Sequence, residues 1–230
     1  MFGLEWDRPV LYQSSRLEAY RAAAEALLAA GSAFHCRCSR SAIRAGNDGQ
    51  SGRYPGTCRT RAIPPRDAAI RARVAPGSIV VHDGLQGVIE TDLAASSGDY
   101  VIVRRDGLPA YHLAVVLDDA EQRVTTVVRG VDLLESTAAH VHLQGVLGAA
   151  QPRYFHVPVV VNEQRQKLSK QTGAQPIDAA DPGVAARVLE LLGLSVPAEL
   201  ARERPRVLWE WAVGRWRIES LRGQRELGQR

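Results

Sequence analysis

Val124-Thr125-Thr126-Val127-Val128 is an apolar, β-branched run, and Arg129-Gly130-Val131-Asp132 follows it directly. We expect Val124–Val128 to form a fully buried strand, as in a parallel sheet that is covered on both faces. A helical pattern then extends from about Thr137 to Leu147, and a further strand pattern covers Tyr154–Val161, broken at Pro158. Strand, helix and strand in this order predict a crossover unit with parallel strands, and therefore an α/β, Rossmann-like fold.

A candidate substrate site lies at the end of the first strand. Arg129 comes directly after the apolar run, and open α/β sheets bind ligands in the crevice at the carboxyl ends of their strands. Arginine there suits a carboxylate or a phosphate, held by two parallel hydrogen bonds. Tyr111 could offer its hydroxyl to the same pocket. The alternatives are a salt bridge from Arg129 to Asp132 or Glu135, and a half-buried core position for Tyr111.

The second strand leads to Lys167-Leu168-Ser169-Lys170, which contains both lysines of the chain. The other 27 of the 29 basic residues are arginine. Lysine is a compact charge on a flexible stem, suited to reaching a phosphate without the planar fork of arginine. We therefore interpret this segment as a mobile phosphate-binding loop, with a solvated surface turn as the alternative.

The three cysteines of the chain are Cys36, Cys38 and Cys58, and a segment rich in Gly, Asn, Asp and Ser separates the last two. Such a loop allows the third thiolate to return to the first two. Tetrahedral zinc needs four ligands and binds thiolates well, so we predict a zinc site. The residues leave the fourth ligand open between His35, Tyr54 and a water molecule, and three free thiols are the alternative to a metal site.

Composition limits the class of protein. The chain has 230 residues, 45% of them hydrophobic, and a net charge of +4, which permits nucleic-acid binding without requiring it. No apolar stretch is long enough to span a bilayer, and the start does not resemble a signal peptide. We therefore expect a monomeric cytoplasmic protein that does not bind a membrane. Three tryptophans near the end predict a short helical tail, and residues after Gly223 are expected to fray.

Three motifs in one order make this sequence similar to the class I glutamyl-tRNA synthetase family. They are Tyr111-His112-Leu113-Ala114 through Asp118-Asp119, Val128-Arg129-Gly130-Val131-Asp132-Leu133, and Lys167-Leu168-Ser169-Lys170-Gln171. The resemblance extends from about Tyr12 to Trp216. It implies a Rossmann-like class I synthetase core with a small zinc-binding insert, in which the lysine segment closes over the triphosphate of ATP.

The resemblance also implies roles for single residues. It implies glutamate binding by Tyr111 and Arg129, and catalytic roles for Lys167 and Lys170, with Lys170 contacting ATP. It implies a zinc ion held by Cys36, Cys38, Tyr54 and Cys58. Mg²⁺ would accompany the ATP, coordinated mostly by phosphate and water.

Within the family, the cysteine pattern, Gln171 and the lack of an anticodon-binding domain resemble one shortened branch. That branch forms glutamyl-adenylate from ATP and L-glutamate, and then transfers the glutamyl group to the queuosine base of tRNA(Asp). Two alternatives remain: a fragment of a glutamyl-tRNA synthetase that charges the tRNA 3′ end, and a non-catalytic, zinc-containing tRNA-binding module.

The family's first ATP-binding signature does not occur in residues 1–230. The resemblance therefore implies a partial catalytic domain over residues 1–177 that lacks the opening βαβ portion, with the zinc insert at about 34–65. A short helical tail over 178–230 would follow. Because one arm of the ATP site would be missing, we expect residues 1–230 alone to show little or no glutamate-dependent ATP–pyrophosphate exchange.

Overall fold

A computed structural model of the chain describes residues 2–45, 52–169, 173–174, 176–178 and 180–228. Within these ranges the α-helices are α1 (Leu17–Ala29), α2 (Arg40–Ala45), α3 (Leu93–Ser96), α4 (Tyr111–Glu121), α5 (Thr137–Leu147), α6 (Val184–Leu191) and α7 (Pro205–Val213). The strands are β1 (Ala33–Cys36), β2 (Ala69–Ala72), β3 (Ser78–Asp83), β4 (Gly87–Asp92), β5 (Val101–Val103), β6 (Thr126–Gly130), β7 (Arg153–Val157), β8 (Val159–Val161) and β9 (Glu226–Gly228).

The strands form three sheets. The largest has the order β4-β3-β7-β6, in which β3 pairs antiparallel with β4 and parallel with β7. A second sheet has the antiparallel order β1-β2-β5, and β8 pairs with β9 in a third. Parallel and antiparallel pairs thus occur in the largest sheet, and the fold is mixed α/β.

The predicted crossover unit is confirmed. Strands β6 and β7 are parallel, and the register places Arg129 beside His156. Helix α5 connects them over the predicted residues and ends at Gly148, whose φ of 66° is the left-handed conformation that favours glycine at a helix C-terminus. The register matters for function, because side chains of paired residues lie on the same face of a sheet.

The prediction that Val124–Val128 forms a fully buried strand was wrong. Strand β6 covers Thr126–Gly130, and the side chain of Val128 is 63% exposed. In the part of the chain that the structure describes, β6 is the outermost strand of its sheet. An apolar run shows that a segment favours strand geometry, but it does not show how many neighbours the strand has.

The main core lies between helices α1, α4 and α5 and the sheets they cover, with Leu113 and Leu143 fully buried in it. A polar network fastens α1 to α4. The Tyr20 hydroxyl lies 2.8 and 2.9 Å from the two carboxylate oxygens of Asp118, and Arg16 Nε donates to the same carboxylate at 2.8 Å. This network fixes α4, whose first residue is Tyr111.

The C-terminal part contains a separate small core between α6 and α7, which includes Leu189, Leu208 and the partly buried Trp209 and Trp211. The described residues after Gly223, which are 224–228, do not fray as expected. Strand β9 pairs with β8, and Arg165 forms an ion pair with Glu226 at 2.8 Å. Backbone pairing, which composition does not reveal, fixes this end. Among the described residues, no helix is both long and apolar enough to cross a membrane.

The burial of Leu143 gives a test of this packing. Leu143→Ala leaves a cavity beneath α5 and should lower the free energy of unfolding by about 2–5 kcal/mol. The matched control is Val146→Ala on the same helix, where the side chain is 39% exposed and the change should be within about 0.5 kcal/mol. Urea unfolding followed by circular dichroism measures both, and equal losses would contradict this description of the core.

Candidate functional site

Arg129 lies near the end of β6, and its guanidinium is surrounded by hydrogen-bond acceptors. The guanidinium has five N–H groups, and five acceptors from the described residues lie within reach. None of them is a carboxylate: they are His156 Nε2 at 3.0 Å, Tyr111 Oη at 3.3 Å, His140 Nδ1 at 3.1 Å, Leu133 O at 3.3 Å and Thr137 Oγ1 at 2.8 Å. The side chain is therefore held in place without being neutralised.

The salt bridges considered as an alternative for Arg129 are not formed. Asp132 pairs instead with Lys167, and among the described residues no carboxylate lies within 4.0 Å of the Arg129 guanidinium. Burial raises the pKa of the half-buried Asp119 carboxyl, and the charge of Arg129 acts against this shift at longer range. The positive charge of Arg129 is thus available to an anionic ligand.

A buried pair sets the orientation of His156. Its Nδ1 lies 2.6 Å from Asp83 Oδ2, and both side chains are fully buried. Burial lowers the pKa of His156, so the imidazole is neutral near pH 7. Burial alone would raise the pKa of Asp83. Hydrogen bonds from His156 and from the backbone of Gln86 and Leu85 outweigh burial and hold this pKa below its ordinary value. The proton therefore lies on Nδ1, facing the carboxylate, and leaves Nε2 to accept from Arg129.

His140 is the second neutral imidazole beside Arg129. Burial, and then the positive charge of Arg129, lower its pKa to about 3. Its Nδ1 accepts from Arg129 Nη1, so the proton of the neutral ring lies on Nε2, which has no hydrogen-bond partner among the described residues. Two histidines thus support one arginine without adding or removing charge.

Tyr111 meets Arg129 at the open side of this group. It is the first residue of α4, its side chain is 46% exposed, and its ring lies 5.4 Å from the ring of His140. Its exposure fits the half-buried position that the sequence left as the alternative, but its hydroxyl faces the Arg129 guanidinium at 3.3 Å. The structure thus brings the two predicted glutamate-binding residues together.

Lys167 lies next to the segment that follows Arg129. Its Nζ is 2.6 Å from Asp132 Oδ2, and the pair is largely exposed. A side chain at Gly130 would displace the carboxylate of the same aspartate. The second predicted lysine, Lys170, lies outside the described residues, as does Gln171. The structure therefore places one of the two lysines, on the same side of the fold as Arg129.

The three cysteines converge as predicted. Their sulfur atoms lie within 4.8 Å of one another, with Cys38 and Cys58 at 3.6 Å. The Tyr54 hydroxyl is 3.4 Å from the sulfur of Cys36 and 3.9 Å from that of Cys38. It also accepts a hydrogen bond from the backbone N–H of Cys58 at 2.8 Å.

His35, the other sequence candidate for a fourth ligand, is absent from this cluster. It precedes Cys36 on β1, and successive side chains of a strand point to opposite faces. His35 instead borders an apolar cavity of about 280 Å³ between α1 and the sheet. Three sulfur atoms and one phenol oxygen at a common point fit the tetrahedral donor set that zinc prefers.

Without a cation, three of these groups differ in their pKa shifts. Burial raises the pKa of Cys38 to about 11 and raises that of Tyr54 as well. Burial acts in the same direction on Cys36, but hydrogen bonding with Tyr54, the Cys38 backbone and Arg71 outweighs it and lowers the Cys36 pKa. Cys36 therefore ionises more readily than Cys38, and ligand binding by Cys38 and Tyr54 requires a cation that displaces their protons.

Four residues of the network around Arg129 were missed by sequence reasoning: Asp83, Thr137, His140 and His156. A signal was available at His156, because it shares the buried face of β7 with Tyr154, and a polar residue in such a position needs a partner.

The chain matches a family model described as "tRNA synthetases class I (E and Q), catalytic domain" over residues 1–181. It is 48% identical over 224 residues to the glutamyl-Q tRNA(Asp) synthetase of Aromatoleum aromaticum, covering 96% of this chain and 71% of that protein. It is 47% identical over 222 residues to the glutamyl-Q tRNA(Asp) synthetase of Methylococcus capsulatus, covering 95% and 72%.

Solved structures show the same fold. The structure is similar to a glutamate tRNA ligase from Elizabethkingia meningosepticum, with a TM-score of 0.69 and 21% identity, and to a glutamate-tRNA synthetase from Elizabethkingia anophelis, with a TM-score of 0.71 and 22% identity. The matches cover 96% and 95% of this chain. The chain spans about half the length of these two proteins, 52% of each.

The low pKa of His140 predicts a pH dependence. An unfolded histidine has a pKa of about 6.5, so between that value and about 3 the unfolded chain binds a proton that the folded chain does not. The stability due to neutral His140 is complete above pH 6.5 and is lost as the pH falls towards 3, by about 1.4 kcal/mol per pH unit. His140→Gln, whose amide oxygen can still accept from Arg129, should remove this component.

The measurement is the free energy of unfolding in urea between about pH 6 and pH 4. The slope against pH should be smaller in His140→Gln than in the unchanged chain, by about 1.4 kcal/mol per pH unit. The exposed His82, replaced in the control His82→Gln, should leave the slope as it is. Identical slopes in all three proteins would show that His140 is not held neutral.

Proposed function

The chain belongs to the class I tRNA synthetase family for glutamate and glutamine, and from that premise we propose that it is a glutamate-activating ligase of the queuosine-modifying branch. It activates L-glutamate with ATP, giving glutamyl-adenylate and pyrophosphate, and then transfers the glutamyl group to the queuosine base of tRNA(Asp). Support for this branch comes from relatives at 47–48% identity that are named glutamyl-Q tRNA(Asp) synthetase.

The observation that carries the proposal is the uncompensated charge of Arg129. Among the described residues its five hydrogen-bond partners are neutral, and Asp132 pairs with Lys167 instead. A fixed cation at the carboxyl end of a parallel strand is suited to a carboxylate ligand. To bind one, the guanidinium exchanges one of its two longest contacts, the 3.3 Å hydrogen bond to the exposed Tyr111.

The reaction determines which of the two carboxylates of glutamate binds to Arg129. An oxygen of the α-carboxylate attacks the α-phosphorus of ATP, and the bond to the pyrophosphate oxygen breaks. Because the attacking carboxylate must stay free, Arg129 holds the side-chain carboxylate, with Tyr111 at the same pocket. This contact favours glutamate over glutamine, since the amide carries no charge to pair with the guanidinium.

Lys167 and Lys170 neutralise the charge of the leaving pyrophosphate. Before ATP binds, Lys167 is held by Asp132 in an exposed ion pair, and such pairs contribute only about 0–1 kcal/mol. A triphosphate with its Mg²⁺ can therefore take over the ammonium group at little cost. Positioning and charge neutralisation are the main requirements of this reaction, and no protein nucleophile is needed.

We further propose a structural zinc ion held by Cys36, Cys38, Cys58 and Tyr54, in the insert at about 34–65. The ion would supply rigidity, not a reaction step, since it joins the end of β1 to the segment around Cys58. Two other functions remain in competition: charging of the tRNA 3′ end by a glutamyl-tRNA synthetase, and tRNA binding without catalysis.

Residues 1–230 do not contain the family's first signature, so the activity test uses a joined protein. In this protein, the segment of the A. aromaticum relative that corresponds to the first signature precedes residues 1–230. We expect glutamate-dependent ATP–pyrophosphate exchange, and glutamylation of tRNA(Asp) that requires queuosine. Glutamylation of tRNA(Glu) would favour 3′-end charging, and absence of exchange would favour the non-catalytic module.

Arg129→Ala should weaken glutamate binding by about 2–4 kcal/mol, roughly 30- to 1,000-fold, because it removes one partner of a desolvated charge pair. Titration calorimetry of the joined protein measures the affinity. The matched control is Arg153→Ala, at the exposed beginning of β7, the opposite end of the parallel pair from Arg129. Unchanged affinity in Arg129→Ala would refute the assignment of this residue.

A further inference from the structure

Arg71 is a buried cation beside the proposed zinc site. It lies on β2, opposite Phe34 on β1, so its side chain shares a face with Phe34 and with Cys36 two residues further along. Only 8% of Arg71 is exposed. The carbon of its guanidinium lies 4.0 Å from the centre of the Tyr54 ring.

The charge of Arg71 has no counter-ion in the described part of the chain. No carboxylate lies within 4.0 Å of its guanidinium there. The buried Asp99 is a neighbour, but it offers Arg71 only its backbone carbonyl, at 2.8 Å. The Asp99 carboxylate accepts from the backbone of Val74 and pairs with Arg59 at 3.8 Å.

One N–H group of Arg71 is also without a partner among the described residues. The Nε atom is buried and makes no hydrogen bond there. Removing a charge from water is unfavourable unless an opposite charge and hydrogen bonds replace the water. Arg71 thus requires a source of negative charge, which protonated thiols and a protonated phenol would not provide.

The proposed zinc site would provide that charge. Ligand cysteines bind as thiolates, so a divalent ion with three thiolates carries one net negative charge. Binding of Tyr54 as a phenolate adds a second. A cation over the face of the tyrosine ring stabilises an electron-rich ring in addition.

We infer that Arg71 is the counter-charge of the zinc site, a positioning residue that stabilises the ligand set of Cys36, Cys38, Cys58 and Tyr54 in its anionic, metal-binding form. The inference rests on the zinc site proposed above. Arginine suits this role because its planar guanidinium can stack on the Tyr54 ring while its N–H groups reach the Asp99 carbonyl and the sulfur side of the site.

The test is the zinc affinity of the 230-residue chain, measured by competition with a chromophoric chelator. Arg71→Met removes the charge and keeps the length of the side chain, and it should weaken zinc binding roughly 10- to 100-fold, the usual effect of losing a residue behind the metal ligands. Arg71→Lys keeps the charge and should recover most of the affinity. The control Arg73→Met removes a charge two residues further on, where Arg73 stacks on Phe34 at 5.1 Å, and should bind zinc like the unchanged chain.

A second readout separates this role from simple packing. Thermal unfolding is followed for each protein with zinc bound and after chelation. Arg71→Met should lower the midpoint of the zinc-bound form and leave that of the chelated form unchanged or higher, because the metal-free form loses an uncompensated buried charge. A purely structural arginine would lower both midpoints alike.

The outcomes are distinct. Zinc binding by Arg71→Met as tight as that of the unchanged chain would overturn the inference while leaving the zinc site intact, and so would equal destabilisation of both forms. If the unchanged chain binds no zinc, the proposed metal site is itself refuted, and the inference with it. Should Arg71→Met fail to fold, weak binding by the folded Arg71→Lys would show that charge is not what Arg71 supplies.

Discussion

The hydrogen bond from Arg129 Nε to His156 Nε2 is the interaction on which the proposed substrate site depends. It exists because His156 is neutral and carries its proton on the other nitrogen, towards Asp83. Strand register places the two residues side by side, and α5 adds Thr137 and His140 from the other direction. The fold thus fixes a cation without cancelling its charge.

Three arginines differ in how the positive charge of the side chain is compensated. Arg16 pairs with the buried Asp118 and is compensated, so its effect is structural. Arg129 and Arg71 lie among neutral partners in the described part of the chain, and in each case the missing charge points to a ligand. For Arg129 the complement that we propose is a substrate carboxylate, and for Arg71 it is the anionic ligand set of the proposed metal site.

The lysine segment completes the proposed site, and a weak, exposed ion pair positions it there. The exposed ion pair between Lys167 and Asp132 brings the segment next to the end of β6. Because an exposed pair is easily exchanged, this contact positions the lysine without retaining it when phosphate arrives. A buried pair at the same place would bind the lysine too strongly for such a role.

Local sequence predicted much of this arrangement. The crossover of β6, α5 and β7 follows from hydrophobic period and length, and the cysteine spacing indicated a cluster. Contacts between distant segments could not be predicted in the same way. Asp83 and His156 are 73 residues apart, and nothing near either residue shows that they meet. The exposure of Val128 and the pairing of β9 with β8 likewise depend on which strands are neighbours.

The most direct measurement is a crystal structure of the protein grown with L-glutamate. The account predicts one glutamate whose side-chain carboxylate lies within hydrogen-bond distance of the Arg129 guanidinium, with the contact from Arg129 Nε to His156 retained and the contact to Tyr111 exchanged. Glutamate bound elsewhere, or an Arg129 side chain turned away to pair with a protein carboxylate, would contradict it.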